Sequence, residues 1–474
     1  MNILFAVSEA APFVKTGGLA DVAGSLPAAL AEADAAADVR VILPLYGTIG
    51  EKWRLKMNFL FYVYIRLSWR SQYCGVFTLR KDGVTYYFVD NEYYFKRERI
   101  YGEYDDGERF AFFSRAVVDL LSHLDWTPDI IHCNDWQTAL VPIYLRQERG
   151  EPFDRIRTVF TIHNIEYQGR FDRKILGDVL GLSDELYNSG ILRYDDDVNL
   201  MKGAIYTADR LTTVSPTYAQ ELRDPWVACG LHTVIRENAH KLSGILNGID
   251  AGRYNPSTDP YLCEHYNADD LSGKRACRRD LCRLLGFDEA DDGPIIACIS
   301  RLVPHKGFDL VVATLEDMVA HGARLILLGT GDARYEDFFR DAENRHRGRV
   351  SANILYSEER SSKIYAGADL LLMPSRSEPC GLTQMIAMRY GTPPVVHAVG
   401  GLRDSVVPYP YDGSNGFTFS NYAACDLLGT VDYAMSIRQN TAEWKALQLR
   451  CMTADLSWSR SAKQYLDLYR ALGA

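Results

Sequence analysis

Several short strings in this 474-residue chain gather residue types suited to phosphate and sugar chemistry. Lys15-Thr-Gly-Gly-Leu-Ala-Asp21 joins an apolar run to an Ala-rich helical segment. Its paired glycines allow close backbone approach to an anion, a helix start offers free N–H groups, and Lys15 adds positive charge. A plain glycine turn with a solvated lysine fits the same string. It is not a P-loop, because the Gly-Lys-Ser/Thr order is missing. His132-Cys-Asn-Asp-Trp136 and Thr161-Ile-His-Asn-Ile-Glu-Tyr-Gln-Gly169 bring polar and aromatic groups that suit sugar hydroxyls and sugar faces. The His-x-x-Asp spacing lacks the further ligands that a metal site needs.

In the second half, Arg301 and Lys306 bracket a turn before a helix. A fork-shaped guanidinium and a compact ammonium beside a helix start suit a diphosphate. Pro374-Ser-Arg-Ser-Glu-Pro-Cys-Gly-Leu-Thr-Gln384 then places Glu378 after an apolar run and before a second helix start. That carboxylate could hold a sugar hydroxyl or face positive charge on an anomeric carbon. As a mere helix-dipole partner it would contribute only about 0.3–1 kcal/mol. Gly391-Thr-Pro-Pro394 and Val399-Gly-Gly-Leu402 read as tight turns, with Gly400-Gly401 a weaker phosphate candidate.

These strings need elements to position them. Short Val- and Ile-rich runs alternate with helix-length segments, the pattern of βαβ units. Strands are expected at 2–7, 39–43, 85–89, 129–132, 158–162, 210–214 and 244–245, then at 294–300, 324–328, 353–355, 369–373 and 394–397. The fold class is therefore α/β, with two doubly wound parallel-sheet domains and a boundary near residue 250. Ligands of such sheets gather beyond the carboxyl ends of the strands. Every string above falls at such an end.

Composition sets the class. Hydrophobic residues make up 47% and charged residues 24%, a globular balance. A net charge of −10 argues against nucleic acid or an anionic membrane as partner. The first residues lack the marks of a signal peptide, and the apolar stretch 57–67 is too short to cross a bilayer. Ten cysteines show no paired CxxC spacing, the nearest approach being Cys277 with Cys282. Reduced thiols and a cytoplasmic location are expected.

Together these strings, with Thr213-Val-Ser-Pro-Thr-Tyr218, Leu246-Asn-Gly-Ile-Asp250 and Arg389-Tyr-Gly-Thr392, resemble the glycogen (starch) synthase family. The resemblance runs almost end to end. It implies the GT-B fold, with facing Rossmann-like domains at 1–250 (acceptor side) and 251–456 (nucleotide-sugar side). A final helix in 457–474 would cross back to the first domain. It further implies retaining transfer of glucose from ADP-glucose to a (1→4)-α-D-glucan, without metal or cofactor, the leaving phosphate assisting the incoming hydroxyl. Arg301 and Lys306 would bind the diphosphate, with Lys15 and Gly18 reaching across. Glu378 would contact the transferred glucose, the amides of Cys380, Gly381, Leu382 and Thr383 would hold the donor, and Tyr356 would lie on the base. Asp135, His163, Asn164 and Asn247 would line the sugar pocket, with Glu9 and Asp21 nearby. Broader relatives carry a second Glu where this chain has Ile386, so Glu378 would act alone. UDP-glucose as donor, or a glucan-binding scaffold without activity, are the alternatives.

Overall fold

The computed structural model describes residues 1–148 and 150–473. It forms two compact units. Unit 1 comprises residues 1–247 with the C-terminal segment from Trp458, and unit 2 comprises Gly248–Ser457.

Unit 1 is built on a nine-stranded sheet. Its strands are β1 (Asn2–Ala6), β2 (Asp38–Pro44), β3 (Asn58–Leu67), β4 (Arg70–Lys81), β5 (Val84–Asp90), β6 (Ile130–Asn134) and β7 (Arg157–Ile162), and, after a small three-stranded sheet of β8 (Arg170–Asp172), β9 (Arg193–Tyr194) and β10 (Asp197–Asn199), β11 (Arg210–Thr213) and β12 (Leu242–Gly244). The order is β12-β11-β7-β6-β1-β2-β5-β4-β3. From β12 to β5 the pairing is parallel, because helical crossovers connect the strands. β3 and β4 break the parallel expectation. They are an antiparallel hairpin added at one edge, and the stretch 57–67 supplies most of its outer strand. β3 buries only Ile65 and Leu67, as an edge strand with one solvated face does.

The helix Trp458–Arg470 belongs to unit 1. Trp458, Ala462, Tyr465, Leu466 and Tyr469 are buried along one side of it. Ser461 donates to the Leu246 carbonyl, the Tyr469 hydroxyl meets His132 Nδ1 at 2.7 Å, and Arg470 pairs with Asp34.

Unit 2 holds a wholly parallel six-stranded sheet of β13 (Ile295–Ile299), β14 (Arg324–Leu328), β15 (Val350–Asn353), β16 (Leu370–Met373), β17 (Pro394–His397) and β18 (Phe417–Phe419). Its order is β15-β14-β13-β16-β17-β18. β15 lies three residues before the expected 353–355, because the Leu325↔Val350 register pairs the earlier residues with β14. Ile296, Leu325, Leu370 and Val395 meet Phe308, Leu315 and Leu447 in its main core. Among the described residues, no helix is long and apolar enough to cross a membrane.

Candidate active site

Among the parallel strands of each unit the order reverses once. The reversal lies between β1 and β6 in unit 1, and between β13 and β16 in unit 2. A crevice opens beyond the carboxyl ends of strands at such a point. The strings that follow β1, β6, β13 and β16 fall at these two places.

In unit 2, Lys306 ends a single turn, Pro304–Lys306, that closes on Gly307. Gly307 has φ +77°, and a Cβ there would lie 1.9 Å from the Pro374 carbonyl oxygen. Only glycine lets the two backbones approach so closely. Arg376 N–H donates to the His305 carbonyl at 2.8 Å, locking the turn to the loop after β16. This arrangement carries the Lys306 ammonium to both Glu378 oxygens, at 2.9 and 2.7 Å. Glu378 is buried and also accepts from the Ser375 hydroxyl at 3.0 Å. The Ser375 carbonyl in turn meets His397 Nδ1 at 2.8 Å.

Gly400-Gly401, read as a weaker phosphate turn, has a packing role within this loop. Gly401 N–H donates to the Glu378 carbonyl, and a Cβ on Gly401 would lie 2.1 Å from the Cys380 carbonyl oxygen. Gly381 has φ +73°, and the helix Thr383–Arg389 follows it without a side-chain cap. Buried Gln384 donates to the Cys380 and Gly381 carbonyls, which fixes the loop from below. Cys380 is buried, while Gly381, Leu382 and Thr383 are part-exposed. Arg301 is exposed just past β13, and Tyr356, past β15, is 75% exposed. All lie at the carboxyl edge of one parallel sheet.

In unit 1, Lys15 is held at 2.7 Å by Asp21, one turn into the helix Gly18–Ala33. Glu9 is buried and accepts from the Thr16 N–H at 2.5 Å and the Thr16 hydroxyl at 2.9 Å. Burial pushes its carboxyl above the usual range, although these bonds pull it back. Asp135 follows β6 at φ +57° and accepts from the His163 N–H at 2.8 Å. Burial raises its carboxyl to about 7 against the pull of the His163 and Asn164 amides. His163, at the end of β7, is pushed down to about 3 by burial and is neutral at pH 7.

The His163 tautomer follows from its neighbour. Asn134 uses its amide hydrogens on the Ala6 and His132 carbonyls, so its oxygen accepts from His163 Nε2–H at 2.9 Å. His163 Nδ1 therefore carries the lone pair. Asn164 spends its side-chain oxygen on the Glu166 N–H. Asn247 is buried, and its side-chain oxygen has no hydrogen-bond partner among the described residues. His132, from the same string as Asp135, is occupied by Tyr469 and Thr161.

Sequence reasoning named Ser375 only as a strand-end polar residue, and it passed over Asn134 and His397. The i, i+3 spacing of Ser375 and Glu378 was a visible cue. The contacts of Asn134 and His397 are long-range and left no local trace. Among the described residues, no group of three or more His, Cys, Asp or Glu is arranged to hold a metal ion.

Two units with Rossmann-like parallel sheets and polar groups at their switch points define the GT-B class of glycosyltransferases. The comparisons agree. The model of the starch synthase catalytic domain matches residues 2–237, and that of glycosyl transferases group 1 matches residues 287–446. A glycogen synthase of Clostridium beijerinckii is 45% identical over 100% of this chain and 99% of its own length. That of Geobacillus stearothermophilus is 47% identical over 100% and 98%. The solved catalytic domain of starch synthase IV from Arabidopsis thaliana, bound to ADP and acarbose, is 36% identical. It superposes with a TM-score of 0.92 over 100% of this chain and 99% of that one. A sucrose-phosphate synthase from Thermosynechococcus elongatus, 18% identical with a TM-score of 0.63, shares the fold. The chain belongs to the glycogen (starch) synthase family, and it is a glucosyltransferase that elongates glycogen.

Proposed function

We propose that the donor is ADP-glucose and that glucose passes, with retention, to the non-reducing end of a (1→4)-α-D-glucan. Unit 2 binds the donor. Arg301 and Lys306 take the diphosphate, Glu378 takes the transferred glucose, the backbone at 380–383 holds donor oxygens, and the exposed ring of Tyr356 lies on the base. The single observation that carries this reading is the Lys306–Glu378 pair at the switch point of unit 2. It sets a cation for the leaving group beside a carboxylate for the sugar. The starch synthase IV relative, solved with ADP and acarbose, supports the same ligand classes.

Unit 1 serves the sugars. The unpartnered oxygen of Asn247, the Nδ1 lone pair of His163 and the Asp135 carboxyl offer donors and acceptors suited to hydroxyl groups. Glu9, Asp21 and Asn164 support that surface, and Lys15 with Gly18 serves the donor diphosphate. In the reaction, the bond from the anomeric carbon to the diphosphate oxygen breaks. The bond to the incoming 4-hydroxyl oxygen forms on the same face, and the hydroxyl proton passes to the departing phosphate. Fixed positive charge near the diphosphate stabilises the developing anion. The reaction requires neither metal nor cofactor, and it takes place in the cytoplasm.

The test is nucleotide release from ADP-glucose and UDP-glucose, each with and without glycogen. Glycogen-dependent ADP release that exceeds UDP release at equal donor is the expected result. Faster UDP release would overturn the choice of base.

A further inference from the structure

Unit 2 contains a thiol pair outside the catalytic groups. Cys263 lies in the loop before the helix Ser272–Leu285, and Cys277 lies one turn into that helix. Their sulfurs are 3.9 Å apart. Cys263 is exposed and Cys277 is buried beneath it. The loop is held firmly over the helix. Tyr266 donates to the Tyr390 carbonyl, the Tyr390 hydroxyl donates to Asp259, and a Cβ on Gly273 would lie 2.4 Å from the His265 carbonyl oxygen. The two sulfurs therefore meet in a defined pocket of backbone. Cys282, the nearer cysteine in sequence, is near the Arg324 guanidinium instead.

We propose that Cys263 and Cys277 form a reversible disulfide, a redox modification site on unit 2. A bond of about 2.05 Å requires the sulfurs to close by roughly 2 Å. The oxidant is a small disulfide. The Cys263 thiolate attacks one of its sulfurs and releases one thiol, leaving a mixed disulfide on Cys263. Cys277 then loses its proton and attacks the Cys263 sulfur, releasing the second small thiol. The protein loses two hydrogens and the small disulfide is reduced to two thiols.

The order of attack follows from the surroundings. Cys277 donates to the Glu264 carbonyl at 3.3 Å, and burial pushes its thiol up to about 12. It resolves slowly, and Cys263 reacts first. The bond would tie the loop bearing Asp259 and Tyr266 to the helix bearing Lys274. Both already hold Tyr390, the end of the helix that starts at Thr383. The cross-link constrains the unfolded chain and raises thermal stability.

The test incubates the full chain with glutathione disulfide and maps peptides without reduction. Cys229 and Cys425, the other exposed thiols, serve as controls; their sulfurs face the Val227 carbonyl and the Asp426 carboxylate. The expected result is a 263–277 cross-link without retained glutathione, simple adducts on the controls, and a melting temperature raised by several degrees and reversed by dithiothreitol. Cys277→Ser should trap a stable adduct on Cys263, and Cys263→Ser should leave Cys277 reduced. Wild-type protein that keeps glutathione on Cys263, or leaves both thiols free while the controls react, would overturn the proposal.

Discussion

Glu378 in unit 2 faces an ammonium with both oxygens, whereas Glu9 and Asp135 in unit 1 accept from amide and hydroxyl hydrogens. Glu9 and Glu378 are buried and Asp135 is half-buried, all at strand ends, so depth alone does not explain the difference. Their partners do. Burial raises the Glu9 and Asp135 carboxyls toward the neutral form, whereas Glu378 meets a cation. The central carboxylate of unit 2 meets a cation, while Glu9 and Asp135 of unit 1 meet neutral hydrogen-bond donors, with the Lys15–Asp21 pair nearby in the chain. This division matches a substrate pair in which one partner is anionic and the other a polyol.

The largest expected effect tests the ionic side. Lys306→Ala and Glu378→Ala should each lower turnover by about two orders of magnitude or more, in the range of lost transition-state electrostatics. Circular dichroism should show a retained fold. A folded Glu378→Ala protein with a near-wild-type rate would remove the basis for the assignment.

A smaller effect separates the two surfaces. Tyr356→Ala should raise the donor KM by ~5–50-fold, as loss of a stacked base does, and leave the glucan KM near its wild-type value. Asn247→Ala should reduce kcat/KM by ~3–20-fold through a lost sugar hydrogen bond, without a similar change in donor affinity. Equal donor effects from both variants would dissolve the contrast between the units.

The smallest effect is thermodynamic and bears on the neutral side. Burial pushes the Asp135 carboxyl up to about 7 in the folded chain, from an ordinary value of 3.8. The folded state therefore holds a proton that the unfolded state has released, and stability falls as pH rises between those values. Urea unfolding at pH 5 and pH 8 should show a steeper decline for wild type than for Asp135→Asn. Equal slopes would place Asp135 in an ordinary solvated setting.

The parallel strands other than β18 were legible because buried strands between crossover helices must be continuous apolar runs. The β3–β4 hairpin escaped because its pattern is mixed. Phe59, Tyr62 and Tyr64 are exposed aromatics, and a register shift between Phe59 and Phe61 disturbs the alternation. The strand-end residues were legible for the same reason as the strands. Their partners were less so: Lys15 finds Asp21 across a loop and a helix start, and Gly401 meets Glu378 from the next crossover. Spacing indicates that two residues stand at strand ends, but tertiary packing selects the one that each touches.

The helix Trp458–Arg470 fills part of the core of unit 1 with Tyr465 and Tyr469, more than two hundred residues after the rest of that unit. On the ribosome, every residue of unit 2 is therefore made before unit 1 can receive its last helix. His132 waits for Tyr469, and the first half of the chain completes its core only after unit 2 has been made.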